Sequence, residues 1–149
     1  MREQISATVL ESTASVRPIS PFLRDGASEL LRFSRSVRCA GRGLWDVLST
    51  QRNARIHVVA GVGVISVGVW LQVSALALAL LCGLIALVCA AEAFNTAIEA
   101  VVDLASPEMH PLARRAKDVA AGAVLLCAFG AAAAGALILG PALFHRILG

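Results

Sequence analysis

The chain alternates long apolar stretches with short polar ones, a pattern that predicts membrane-spanning helices. No charged residue occurs within residues 56–91 or 119–144. About 20 apolar residues cross the hydrocarbon core of a bilayer, so the first stretch is too long for one span. The only polar and aromatic break in it is at Trp70, Gln72 and Ser74. We therefore predict three spans, at about residues 56–71, 74–102 and 119–144.

A fourth, amphipathic helix is predicted before the first span, over about residues 28–50. Leu30, Phe33 and Val37 begin a series of apolar residues at three- and four-residue steps, and arginines line another face. Ser28 is the predicted N-cap and Trp45 an interfacial anchor. A helix with one apolar and one arginine-rich face lies in the headgroup plane of a membrane.

Residues 1–27 differ from the rest of the chain. They are polar, contain two prolines and lack the apolar segment of a signal peptide. We predict a mobile polar lead there, followed by one membrane-embedded domain over residues 28–149.

The composition supports a membrane protein, because 58% of the residues are hydrophobic and only 15% are charged. The predicted fold class is an all-α membrane protein with an N-terminal amphipathic surface helix plus three transmembrane helices. Of the 13 Lys and Arg, nine precede Ile56 and three lie in residues 114–117. The positive-inside rule therefore puts the N-terminus and the second loop in the cytoplasm. Basic groups that flank apolar runs suit anionic lipid or phosphate, and no nucleic-acid partner is expected.

The candidate functional site lies in residues 90–103, where carboxylates interrupt an apolar run. At 100° per residue on a helix, Glu92, Asn95, Glu99 and Asp103 fall within about 80° of one another. A carboxylate at the centre of a bilayer costs roughly 2.5–3.5 kcal/mol, so this face must meet a protein interior, a metal ion or a wet cavity. The alternative is that Glu92 and Glu99 are structural carboxylates bonded to neighbouring helices. For Asp103, the alternative is that it serves only as a charge at the membrane interface.

Three sequence motifs, which include this polar face, resemble those of a known protein family. The stretch AEAFNTAIEAVVDL, preceded by RNARIH and followed by SPEMHPLARRAKDVAAGAVLL, resembles the prokaryotic diacylglycerol kinase family, whose Gram-positive relatives act as undecaprenol kinases. The resemblance covers about Leu30–Leu143. It implies a homotrimer with shared active sites in the bacterial inner membrane. It also implies Mg²⁺- and ATP-dependent phosphorylation of a membrane lipid hydroxyl.

The resemblance also implies roles for individual residues. Glu92 matches the catalytic base, Asn95 a neighbouring polar group at the nucleotide, and Glu99 a ligand of the metal that bridges the ATP phosphates. The nucleotide-binding loop is matched by Glu108, His110, Lys117 and Asp118, and an arginine early in the surface helix by Arg32. His110, between two prolines, is equally compatible with a solvated turn residue.

One position departs from the family pattern. Gln51 stands where the family has a second metal-coordinating glutamate. An amide oxygen can coordinate Mg²⁺, but carboxylates are its usual protein ligands. Two functions therefore remain open. The first is a lipid kinase acting on undecaprenol or diacylglycerol, which the sequence does not separate. The second is an inactive homologue or membrane-helix scaffold that has lost kinase activity through Gln51.

Overall fold

The computed structural model describes residues 21–106, 108 and 110–148, with side chains from residue 28 onward. All regular structure in this part of the chain is helical, and three of its helices have the length and apolarity to cross a membrane. The all-α fold with three spans is therefore confirmed. The helices are α1 (Pro21–Thr50), α2 (Arg52–Trp70), α3 (Ala75–Ala105) and α4 (Pro111–Leu148).

The chain divides into two compact units, Met1–Arg42 and Gly43–Gly149, and the first contains most of α1. This helix begins at Pro21, so Ser28 lies inside it and the predicted N-cap is wrong. Proline suits the first position of a helix because its φ angle is already helical and its missing N–H is not needed there. All described side chains from 28 to 46 are exposed. The lead predicted over residues 1–27 lies outside the described residues as far as residue 20.

Helices α2 and α3 form a tight antiparallel pair. The backbone N–H of Val73 donates to Gly68 O (3.1 Å) and that of Gln72 to Val69 O (3.0 Å), the double bond of a Schellman motif. Gln72 has a φ of 55°, the left-handed conformation that this motif requires. The Ser74 hydroxyl then caps α3 by accepting from Ala77 N at 3.2 Å. The predicted break at Gln72 and Ser74 is thus confirmed.

Close approach of α2 to α3 depends on two glycines of α2, Gly61 and Gly68. A Cβ on Gly61 would lie 2.7 Å from Ile85 Cγ2, and one on Gly68 would lie 3.0 Å from a Leu78 methyl group. Gly63, between them, faces open space and takes no part in this approach. The Gly61–Ile85 contact sets the register, and it brings the first turn of α2 level with residues 92–95 of α3.

Helix α4 is longer at both ends than the predicted span. It starts at Pro111, so the basic segment 114–117 belongs to its first turns. The expectation that this segment is part of a loop is therefore wrong. It also continues to Leu148 past Pro141, which therefore does not end it. The last turns contact α2, where Arg146 Cζ lies 5.9 Å from the centre of the Trp70 ring. A proline within a spanning helix is tolerated when neighbouring groups compensate the freed carbonyl.

The lengths of the helices determine which residues leave the membrane. Helix α3, with 31 residues, is about 46 Å long, whereas α2, with 19, is about 28 Å long. The hydrocarbon core of a bilayer is about 30 Å thick. With the start of α3 at one membrane surface, Glu92 lies inside the core, and Glu99 and Asp103 lie at or beyond its other edge.

Candidate active site

Glu92 is the one buried charged side chain among the described residues, with 3% of its surface exposed. It lines a cavity of about 210 Å³ between α2, α3 and α4, together with Asn53, His57 and Asn95. The Thr96 hydroxyl donates to the backbone oxygen of Glu92 at 3.0 Å, not to its carboxylate. No described side chain donates a hydrogen bond to that carboxylate. Its oxygens are therefore free to accept a proton or a hydrogen bond from a ligand in the cavity.

Asn95 connects this cavity to the next carboxylate along α3. Its Nδ2 donates to Glu99 Oε1 at 3.1 Å, one turn further on. Its Oδ1 is buried and has no hydrogen-bond partner within the described chain. Leaving a buried acceptor unpaired costs about 1–3 kcal/mol, so such an atom marks a place where a ligand supplies the missing donor or cation.

A second polar cavity, of about 240 Å³, lies where α3 ends and α4 begins. Lys117 Nζ donates there to Asp103 Oδ1 across the two helices. Arg114 Nε lies 3.9 Å from Asp118 Oδ2 along α4. Lys117 and Asp118 thus project from a helix, which corrects their assignment to a loop. The cavity brings together the four residues matched to the nucleotide-binding loop, Glu108, His110, Lys117 and Asp118.

His110 has a structural role in the short connection between α3 and α4. Its Nδ1 accepts from the backbone N–H of Leu112 at 3.2 Å, which satisfies one of the free N–H groups at the start of α4. The Ser106 hydroxyl donates to Glu108 O at 2.9 Å and shapes the same connection. These two bonds hold the exposed side chains of Glu108 and His110 beside the basic turns of α4.

The two polar cavities follow one another along α3. Glu92 and Asp103 are separated by eleven residues, or about 16 Å along the helix axis, and Glu99 lies between them. The arrangement therefore forms one line of polar groups, which begins at exposed charges and ends at a carboxylate at membrane depth.

The oxygen atoms at and near Glu99 are suitable ligands for a magnesium ion that also binds phosphate. Mg²⁺ takes oxygen ligands and is commonly held by one or two carboxylates together with phosphate oxygens. Glu99 supplies a carboxylate, and Asn95 Oδ1 is an unpaired oxygen beside it. The described residues contain no group of three or more His, Cys, Asp and Glu side chains spaced to hold a metal. Glu99 and Asn95 Oδ1 therefore suit a metal–phosphate complex, in which phosphate oxygens supply further ligands.

Gln51 lines neither of these cavities, and Arg32 belongs to the other compact unit. Gln51 is half-buried at the N-cap of α2, and its side chain makes no capping hydrogen bond. The register of α2 against α3 puts it level with Asn95. Arg32 belongs to the first unit, where its NH1 lies 2.9 Å from Glu29 Oε1 on the same exposed face of α1.

Asn53 and His57 also line the Glu92 cavity, although neither was a candidate site residue in the sequence. They are four residues apart on α2, so they share a face of that helix. Both residues belong to the RNARIH segment. They can be assigned to the Glu92 cavity only when the register between α2 and α3 is known, and that register depends on the contact at Gly61.

Residues 38–139 match the family of prokaryotic diacylglycerol kinases. The chain belongs to that family. It is 40% identical over 120 residues to an undecaprenol kinase of Bacillus subtilis, covering 80% of this chain and 98% of the relative. It is 46% identical over 114 residues to a diacylglycerol kinase of Synechocystis, covering 76% of this chain and 65% of the relative. A diacylglycerol kinase of Escherichia coli is 36% identical over 103 residues, or 67% of this chain and 84% of its own length.

Membership of the prokaryotic diacylglycerol kinase family, together with three apolar helices, makes this protein an integral membrane lipid kinase. The family match includes the whole of α2 and α3 and most of α4, and therefore both polar cavities.

The burial of Glu92 generates a prediction about stability. A buried carboxylate without hydrogen-bond donors is unfavourable, so Glu92→Gln should raise the free energy of unfolding by about 1 kcal/mol or more. The midpoint of thermal unfolding in detergent should rise by a few degrees. Glu99→Gln is the matched control, because Glu99 is only half-buried and already accepts from Asn95. Equal midpoints for the parent and Glu92→Gln would contradict the unfavourable burial.

Proposed function

We propose that the protein transfers the terminal phosphoryl group of Mg²⁺–ATP to the hydroxyl of a membrane lipid, undecaprenol or diacylglycerol. The observation that supports this best is the unpaired carboxylate of Glu92 at membrane depth. It lies on the same face of α3 as a charged cavity at the membrane edge. A lipid alcohol reaches the Glu92 carboxylate from the bilayer, and a nucleotide reaches the charged cavity from water. Phosphoryl transfer requires the two to meet along α3.

Glu92 is the proposed catalytic base. Phosphoryl transfer needs little covalent help from a protein but much positioning, with a carboxylate to accept the proton of the attacking hydroxyl. The Glu92 carboxylate has no competing donor among the described side chains, and Asn95 lies one turn away on the same cavity. Asn95 Oδ1 is available to orient the incoming hydroxyl or the phosphate complex.

The second cavity is the proposed nucleotide site. Lys117 and Arg114 can neutralise phosphate oxygens, provided that Lys117 exchanges its bond to Asp103 for one to phosphate. Magnesium held by Glu99, with Gln51 as a second oxygen ligand, would draw charge from the transferring phosphoryl group. Arg32, Glu108, His110 and Asp118 keep the nucleotide-binding roles that the resemblance implies.

The proposed location is the cytoplasmic side of the bacterial inner membrane. Basic residues concentrate before α2 and at the start of α4, which the positive-inside rule assigns to the cytoplasm. ATP is available on that side. The proposed assembly is a homotrimer with shared active sites. The extensive apolar faces left exposed on α3 and α4, including Phe94 and Phe129, are consistent with contacts to further copies as well as to lipid.

The first test is transfer of radiolabel from ATP to lipid in vesicles that contain the purified protein. Undecaprenol and diacylglycerol should be assayed side by side, because relatives of both names cover most of this chain. Glu92→Gln should lose activity by a factor of about 100 or more, the usual contribution of a positioned base. Its size-exclusion profile should remain that of the parent. Retained transfer in Glu92→Gln would remove Glu92 from the base role.

The second test concerns the nucleotide site. Lys117→Gln should raise the KM for ATP by about tenfold, because it removes a charged hydrogen bond to phosphate. Arg115→Gln removes the same charge from an exposed side chain that does not line the cavity. It should change the KM by less than about twofold, since exposed charges contribute little. Equal effects of the two variants would indicate a general electrostatic contribution and not a site at Lys117.

The third test asks whether Gln51 belongs to the metal site or marks an inactive homologue. Gln51→Glu adds an anionic oxygen ligand, so lipid phosphorylation should saturate at a lower Mg²⁺ concentration. The gain should vanish at high Mg²⁺, where the site is already full. Superimposable Mg²⁺ titrations would place residue 51 outside the metal site. Activity in Gln51→Glu alone would show that the natural chain is an inactive homologue.

A further inference from the structure

A third cavity, of about 270 Å³, lies between the three spanning helices and has almost entirely apolar walls. Its walls include Ala60 and Val64 from α2, Leu81 from α3, and Ala131 and Gly135 from α4. Protein interiors are normally close-packed, with few voids larger than a water molecule. This one exists because alanines and a glycine stand where larger side chains would meet.

The apolar cavity adjoins the cavity of Glu92. His57 and Ala128 line both. From this shared boundary the apolar cavity extends along α3 from Val88 to Leu81, away from the nucleotide end. Seven residues of helix correspond to about 10 Å, so the cavity leads from the proposed base towards the centre of the bilayer.

We propose that this cavity holds the hydrocarbon segment next to the hydroxyl of the lipid substrate, so that the hydroxyl passes His57 and reaches Glu92. The identification of the occupant rests on the proposed lipid kinase function. A cavity with so few polar groups in its lining does not hold ordered water well and accepts apolar ligands instead. Its continuity with the one buried carboxylate of the described chain distinguishes it from a simple packing defect.

The volume limits how much of the lipid the cavity takes. Sites for drug-sized ligands are about 300–1,000 Å³, so about 270 Å³ suits only a segment of a long chain. The remainder of the lipid lies in the bilayer. The cavity therefore selects for the shape of the chain close to the hydroxyl and is indifferent to total chain length.

The test fills the cavity from one wall. Gly135 is buried, and a Cβ there meets no atom within 4 Å, so Gly135→Leu occupies the cavity without a clash at the backbone. Gly130→Leu is the matched control, since Gly130 also has open space at its Cβ but is exposed and outside the cavity. Gly135→Leu should raise the KM for the lipid by about tenfold with kcat and the KM for ATP unchanged, because it removes uniform binding of the chain. Gly130→Leu should match the parent.

A binding measurement separates this inference from the proposed function. Farnesol, a short isoprenoid alcohol, should raise the thermal midpoint of the parent, Glu92→Gln and Gly130→Leu in detergent, and should not affect Gly135→Leu. Absence of transfer in the parent would overturn the kinase function, whereas equal farnesol shifts in Gly135→Leu and Gly130→Leu would overturn the lipid cavity. A changed oligomeric state in Gly135→Leu alone would also overturn it, because a second copy would then occupy the cavity. If Gly135→Leu does not fold, Gly135→Ala should give smaller changes in the same direction.

Discussion

The structure depends on shielding one carboxylate, that of Glu92, from the surrounding hydrocarbon at membrane depth. A charge there is costly unless helices surround it, and the protein surrounds it with α2, α3 and α4. Gly61 is essential to this arrangement because it lets α2 approach α3 closely enough to bring Asn53 and His57 beside Glu92. Helix packing thus forms the site, and the polar groups around Glu92 come from α2 and α3.

The unequal lengths of the spans extend the polar face of α3 from the buried Glu92 to residues that are exposed to water. Helix α3 has 12 more residues than α2 and extends about 18 Å further. On this extension the neighbours of α3 are the first turns of α4, which supply Lys117 opposite Asp103. The same helix therefore presents Glu92 where its neighbours exclude water and Asp103 where they do not. The difference in helix length therefore contributes to the two environments that the proposed lipid and nucleotide sites require.

Much of this arrangement could be predicted from the sequence, because the polar residues of α3 recur at helical spacing and its carboxylates are unfavourable in a membrane. Charges on one face of an apolar helix at Glu92 and Glu99 indicate a site without knowledge of the partners. The start of α4 could not be predicted in this way, since Arg114 and Lys117 are as suitable for a loop as for an exposed first turn. His57 was missed because its importance depends on the register between two helices.

A lipid kinase must also direct the phosphoryl group to a lipid hydroxyl in preference to water, and the proposed site offers a physical reason. The cavity of Glu92 continues into apolar walls, so any water within it has few partners apart from Glu92, Asn53, His57 and Asn95. A lipid alcohol fills both the polar and the apolar part, which water cannot do. Binding of the hydrocarbon segment then excludes water at the moment when the hydroxyl reaches the carboxylate. In this way the void left by small residues on α4 contributes to the choice of acceptor, although none of those residues takes part in the chemistry.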